Sequence, residues 1–313
     1  ALTSPTAALE DALQKPIGLD APLLTSFNAG ESVTIIVSDS FRRTGVDQLL
    51  PTLLKALVQQ GIRETDIRFV FATGTHRAPQ EHEKARILGE AVYKQFQDRA
   101  FSHNAFDEDL TVHVGDTSRG TPVWINRHVA ESDRVIATGG VVLHYFGGFG
   151  GGRKSVVPGV ASSRTIAHNH AMNLDPEEDR ANPSVRIGAL EGNPVAEDML
   201  EAACLCRVDG IVNTVLNRDG AIAGIFAGEL EAAHRAATEM AASLYSVSID
   251  EQADLVVASA GSAKNYVQSH KALFNAYQAL KPGGRMVLAA RAPEGFGGNT
   301  IEKWLALRTR EKV

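Results

Sequence analysis

The chain has 313 residues, is 44% hydrophobic, and carries 31 Lys and Arg against 37 Asp and Glu, a net charge of −6. This is a globular composition, long enough for two domains with their own cores. The acidic balance lacks the basic footprint of a nucleic-acid or membrane-surface protein, and leaves room for a local basic site for a small anion.

The two cysteines, Cys204 and Cys206, stand two apart on a helix-like stretch, so their side chains diverge. A disulfide framework is excluded, and a four-ligand zinc site lacks donors. Both are expected to be semi-buried thiols. The first residues, ALTSPTAALEDALQKPIG, have neither the basic n-region nor the apolar core of a signal peptide, and no run approaches a membrane span. A cytoplasmic protein is expected.

In chain order, Val33 to Val37 (VTIIV) reads as a buried strand, followed by a helix from about Val46 to Gln60. Ile67 to Ala72 (IRFVFA) is the next strand, and a polar helical stretch runs from Pro79 to about Asp98. Leu110 to Val114 and Arg134 to Gly139 read as further strands. Apolar strands separated by helices predict an α/β domain, a parallel sheet with helices on both faces. A Gly-rich segment (Gly147 to Gly159) and a polar, Pro-marked one (Asn173 to Asn193) follow. Then come a helix over Val195 to Cys206, a hairpin over Gly210 to Gly228 turning at Asn217-Arg218-Asp219-Gly220, and a helix over Glu229 to Leu244.

After Ser246 the pattern restarts: strand Asp254 to Gly261, helix Gln268 to Leu280, turn Lys281 to Gly284, strand Arg285 to Ala290. The expected division is a domain of residues 1–249 and a second, smaller α/β domain beginning at 250 and running to 313. Two strands are few for an independent sheet, so this second domain reads as incomplete.

Three segments follow predicted strands, where open parallel sheets bind ligands. The first is Ser38-Asp39-Ser40-Phe41-Arg42-Arg43. Its guanidiniums suit a carboxylate or phosphate, or Asp and Arg simply stitch the loop. The second, Ala72-Thr73-Gly74-Thr75-His76-Arg77, sets a histidine beside a glycine turn, suited to proton transfer or to plain polar surface. The third runs from Leu143 through His144 to Pro158-Gly159, with five glycines among residues 147–152, then Arg153-Lys154-Ser155. It fails as a phosphate-binding P-loop: Arg153 separates the last glycine from Lys154, and Pro158 interrupts the helix that should follow. A lysine in such a loop can be a covalent attachment point, and a histidine of the later Thr165-Ile166-Ala167-His168-Asn169-His170 can bind a metal or lie on the surface.

Together SDSFRR, ATGTHR, HYFGGFGGGRKSVVPG and TIAHNH resemble the lactate racemase family of nickel-pincer nucleotide enzymes, in order and spacing across nearly the whole chain. The resemblance implies a racemase or epimerase of a 2-hydroxy acid. Lys154 would carry a pyridinium-derived mononucleotide, and His170 would be the protein ligand to nickel, with His168 the alternative. His76 and His144 would be the acid and base. Asp39 and Arg42 would hold cofactor or substrate, Arg42 facing the substrate carboxylate. Cofactor-biosynthesis enzymes would be the loading partners; neither nucleic acid nor membrane is expected.

The chain departs from the family pattern in two places. Arg43 stands where the family often has Pro, which would suit a second acidic group or a polyol. Phe274 aligns with a substrate-contacting lysine, for which Lys264 or Lys271 could substitute. Two other readings remain: a non-catalytic cofactor-binding homologue, and a net 2-hydroxy acid oxidoreductase that releases the keto acid.

Overall fold

The structure is a computed structural model that describes residues 1–178 and 180–297. Contacts divide it into two units, Ala1–Tyr245 and Ser246–Val313. In the first unit, α1 (Pro5–Gln14) precedes β1 (Val33–Ser38), α2 (Leu50–Gln59) and β2 (Ile67–Ala72). Next come α3 (Glu81–Leu88), α4 (Glu90–Phe96), β3 (Ala100–Ser102), β4 (Thr111–Asp116), β5 (Pro122–Asn126) and α5 (Arg127–Ala130). They are followed by β6 (Arg134–Gly140), β7 (Leu143–His144), β8 (Gly148–Phe149), α6 (Ser163–Ala171) and α7 (Pro194–Leu205). The hairpin β9 (Gly210–Leu216) and β10 (Ile222–Gly228) and then α8 (Leu230–Tyr245) complete the unit.

The central sheet has the order β10-β9-β6-β1-β2-β3. Its strands run parallel except for β10, which returns antiparallel along β9. Strand alternation sorts side chains to the two faces. On one face Val33, Ile35 and Val37 of β1 pack with Phe69 and Phe71 of β2 under α1, α2 and α4. Leu50, Leu53, Leu54 and Leu57 form the buried stripe of α2, at the spacing that puts one face of a helix on a sheet. On the other face Ile36, Val70, Val135 and Ala137 meet Val156, Val157 and Val160 of the glycine-rich segment and Val195, Met199 and Ala202 of α7. The segment that carries Lys154 is thus bolted to the sheet by valines on its far side.

Sheet order determines where a site can form. From β1 the chain proceeds to β2 and β3 on one side; from β6 it proceeds to β9 on the other. Loops therefore leave the carboxyl ends of β1 and β6 in opposite directions, opening a crevice between them. The Ser38–Arg43 and Gly140–Gly159 segments both start at that crevice.

The parallel α/β sheet with helices on both faces matches expectation. Two local readings are corrected, and one strand, β3, was not foreseen. The strand around Leu110 to Val114 does not join the central sheet but pairs antiparallel with β5 as a separate hairpin. Its half-exposed alternation suits a one-faced hairpin rather than a strand buried on both faces. The helical stretch from Pro79 splits into α3 and α4 at Gly89, whose φ of 83° ends a right-handed helix. The three-residue edge strand β3 is too short to carry a periodicity.

The second unit contains β11 (Ala253–Ser259), α9 (Tyr266–Ser269), α10 (Lys271–Tyr277) and β12 (Leu280–Ala289). Strands β11 and β12 run parallel, and the expected Lys281–Gly284 turn lies within β12, where the register shifts. The expected single helix is divided at His270. Residues 298–313 of the expected second domain lie outside the described residues.

Candidate functional site

The turn after β1 is organised by Asp39. Its Oδ1 accepts the N–H of Phe41 at 3.0 Å, and its Oδ2 lies 2.6 Å from Nδ1 of His76, in the turn after β2. The carboxylate thus joins two adjacent strand-end loops, and the open question of an Asp–Arg stitch resolves toward His76. An oxygen that can only accept faces Nδ1, so Nδ1 carries a proton and the lone pair of the neutral ring is on Nε2. Phe41 covers the imidazole, with ring centroids 4.7 Å apart. Arg77 holds the loop down through a forked pair to Glu83 at 2.6 and 3.0 Å, and Glu83 also caps α3.

His144, at the end of β7, has the opposite arrangement. Its Nδ1 accepts the backbone N–H groups of Phe146 and Gly147, both at 3.2 Å. Two donors at Nδ1 place the lone pair there and the proton on Nε2. Tyr145 stacks on the ring at 4.8 Å. Burial holds the Tyr145 phenol above its ordinary value, and the nearby Arg42 charge draws it back. Arg42 therefore shares the surroundings of Tyr145. Arg43 does not: it is exposed, and its guanidinium occupies the space a Cβ on Gly220 would need, over the β9–β10 turn.

Lys154 sits in a 3-10 turn, Gly152–Ser155. The turn is anchored by Ser155, whose hydroxyl donates to the Thr138 carbonyl at 2.9 Å, and by Gly152, whose N–H donates to Asn213 Oδ1 at 2.8 Å. Gly152 has φ 49°, and a Cβ there would lie 2.5 Å from the His234 ring. Gly147 faces the lysine: a Cβ there would stand 3.3 Å from both Lys154 Cδ and Met199 Sδ. Its missing side chain leaves the stem of Lys154 room to move.

His170, near the C-terminus of α6, completes the group. Its imidazole is pushed down to about 3 by burial and by the neighbouring Lys154 charge. Phe146 packs edge-on to it at 5.7 Å, and Phe146 also lies 6.5 Å from His144. Asn169 Oδ1 is 3.1 Å from His170 Nδ1, which leaves Nε2 as the nitrogen with a lone pair. His168, two positions away, is exposed and on another side of the helix.

Loops from three strands and one helix thus gather Asp39 with His76, Arg42 with Tyr145, Tyr145 with His144, and Lys154 with His170. Among the described residues, no cluster of three or more His, Cys, Asp or Glu side chains could hold a metal unaided. A metal here would take one imidazole from the protein and its other donors from a bound group. The Lys154 stem beside the bare Gly147 and the lone pair at His170 Nε2 fit a lysine-tethered group that brings such donors.

Several residues behind the site escaped the sequence reading. Arg153 is 4% exposed, and its Nε and Nη2 have no hydrogen-bond partner; burial pushes its guanidinium down to about 10. Beside it, His234 meets the Gly150 carbonyl through Nε2 at 2.8 Å, and burial, with the Arg153 charge, pushes it down to about 3. Asp198 is fully buried on α7. It stands in the apolar stripe Val195, Met199, Ala202, and a carboxylate in the middle of such a stripe was the available signal. Cys204 and Cys206 are free thiols, the first exposed and the second buried, with its thiol pushed up to about 12.

A family model described as the lactate racemase N-terminal domain matches residues 1–181. The chain is 32% identical over 294 residues to a lactate racemase of Lactiplantibacillus plantarum, covering 93% of this chain and 67% of that protein. It is 31% identical over 296 residues to a lactate racemase of Thermoanaerobacterium thermosaccharolyticum, covering 94% and 67%. The solved lactate racemase apoprotein of the latter organism superposes with a TM-score of 0.85 at 30% identity, over 96% of this chain and 70% of that one. A Thermotoga maritima protein superposes with a TM-score of 0.67 at 21% identity, over 84% and 65%, and shares the fold. The chain belongs to the lactate racemase family and is an isomerase of the racemase type.

Proposed function

We propose that this racemase interconverts the two configurations of a 2-hydroxy acid, lactate being the substrate named for its relatives, with His76 and His144 as acid and base. The observation that supports this reading best is the opposite hydrogen bonding of the two Nδ1 atoms. Asp39 gives His76 a lone pair at Nε2, and two backbone amides give His144 a proton at Nε2. A reaction that inverts a carbinol carbon needs one group to remove the hydroxyl proton and another to return one after the planar 2-keto acid has turned.

Residues 1–249 are the catalytic and cofactor domain in this reading, and residues 250–313 begin a C-terminal α/β domain. Lys154 is the attachment point of a nickel-pincer nucleotide, and His170 gives the nickel its protein ligand through Nε2. When bound, that group supplies the hydride acceptor and donor, and the protein supplies orientation. Arg42 binds the substrate carboxylate, as a planar guanidinium does. Asp39 holds His76 in its basic tautomer, and Phe41 shields that ring from water. His76 takes the hydroxyl proton, and His144 passes its Nε2 proton to the keto oxygen on the other side as that oxygen becomes a hydroxyl; exchange with solvent then takes the proton off His76 and returns one to His144, and the return reaction reverses the two roles. The enzyme acts in the cytoplasm, is loaded by cofactor-biosynthesis enzymes, and has neither a nucleic-acid nor a membrane partner. Among the described residues no helix is long and apolar enough to cross a membrane.

The test is a panel of single-enantiomer 2-hydroxy acids given to cofactor-loaded protein, with chiral analysis of the product. The expected result is a racemic or epimeric mixture from either enantiomer, lost in His76→Ala and in His144→Ala while the Lys154 adduct remains. Stoichiometric keto acid would instead indicate a net oxidoreductase, and a loaded protein inert to the whole panel a cofactor-binding homologue.

A further inference from the structure

Asn169 is fully buried, and its amide has no choice of orientation. Nδ2 donates to the Val195 carbonyl at 3.1 Å and to Asp198 Oδ2 at 2.9 Å. The reversed amide would set its oxygen against two oxygens that only accept. Oδ1 is therefore held on the opposite side, 3.1 Å from Nδ1 of His170.

Asp198 is itself held. Thr117 donates to its Oδ1 at 2.5 Å, and Thr121 donates to its Oδ2 at 3.0 Å. Thr117 also accepts the N–H of Thr121 at 3.1 Å, so both hydroxyls are fixed by the turn between β4 and β5. The carboxylate thus takes three donors and points one of its oxygens at Asn169. A buried carboxylate without a cation is expensive for a helix whose stripe is otherwise apolar. Leucine or methionine there would pack against the same neighbours.

We propose that Asp198 is a positioning residue: through Asn169 it fixes the ring orientation and tautomer of His170, keeping the proton on Nδ1 and the lone pair on Nε2. Its consequence for activity rests on His170 being the protein ligand to nickel, since a ligating imidazole is set by what its other nitrogen donates to. The hairpin β4–β5, which contributes no side chain to the gathered residues, thereby acts on the site through one carboxylate.

The test uses apoprotein labelled with 15N in the histidine rings. Two-bond proton–nitrogen correlation spectra are recorded at one neutral pH, and His170 is identified by its loss in His170→Gln. Native protein should show His170 only as the Nδ1–H tautomer. Asp198→Ala should give a mixture of tautomers. Asp198→Asn, whose amide oxygen still accepts from Asn169, should restore the native pattern. Thr117→Val removes a hydrogen bond from the same carboxylate without touching Asn169, so it should lower stability and leave the tautomer native.

On cofactor-loaded protein, Asp198→Ala should hold nickel about 10- to 100-fold more weakly against a chelator, with the Lys154 adduct unchanged. A native tautomer pattern in Asp198→Ala, or equal scrambling in Thr117→Val, would overturn the proposal. The ligand assignment fails separately: His170→Ala would then keep nickel as tightly as native protein, whatever the tautomer spectra show.

Discussion

His76 and Asp39 meet at 2.6 Å, and the other oxygen of that carboxylate is already committed to the N–H of Phe41. This double engagement makes the outcome of Asp39→Asn predictable. The amide oxygen must take the position facing Phe41, so the NH₂ turns toward His76 Nδ1. The imidazole is then forced into the tautomer with its proton on Nε2 and loses its basic nitrogen. Asp39→Asn should lower kcat by about 10²- to 10⁴-fold, the range a wrong histidine tautomer produces, with the fold intact and the Lys154 adduct retained. Steady-state kinetics with intact mass on the same loaded sample checks both halves.

Lys154→Ala should abolish the covalent adduct and leave the fold unchanged. The lysine is only partly buried, and its turn is anchored by Ser155 and Gly152. Intact mass after co-expression with the cofactor-making enzymes should show the bare polypeptide, with a melting temperature within a degree or two of native, roughly the effect of a surface substitution.

Gly152→Ala should destabilise the protein by about 2–4 kcal/mol, because it combines a left-handed backbone with overpacking. At φ 49° the new Cβ would run into the His234 ring, which is 1% exposed and has nowhere to go. Urea unfolding of the apoprotein measures this directly, and an unchanged midpoint would contradict the packing described here.

His234 also predicts a pH dependence. In the folded protein its imidazole is pushed down to about 3, against an ordinary value of 6.5 in the unfolded chain. Above pH 6.5 both states are neutral and stability is complete. Between pH 6.5 and about 3 the unfolded chain takes up a proton that the folded one refuses, and stability falls by up to ~1.4 kcal/mol per pH unit from this group. His234→Gln should flatten that part of the slope. Some slope should persist, because burial lowers His103 as well.

Much of this was readable in the chain itself, for identifiable reasons. Strands buried on both faces, such as Val33 to Val37 and Ile67 to Ala72, are continuous apolar runs, and Asn217 to Gly220 is an unambiguous hairpin turn. The candidate site was legible through the family resemblance, because its residues are consecutive within motifs: Asp39 with Arg42, His76 after a glycine, His144 and Lys154 in one segment. What stayed hidden was pairing across distance. No local pattern joins Asp39 to His76, 37 residues away. None joins Asp198 to Asn169, or Gly152 to His234. The hairpin β4–β5 was misassigned because one half-apolar strand looks much like another until its partner is known.

The central claim is that the two histidines handle only the hydroxyl proton, while the hydrogen on C2 moves as a hydride and never reaches water. The most direct measurement is racemisation of one enantiomer by the loaded enzyme in D₂O, read by proton NMR at C2 of the inverted product. The account predicts inverted product with its C2 hydrogen intact. Deuterium at C2 would contradict it, because His76 or His144 would then be removing a proton from carbon.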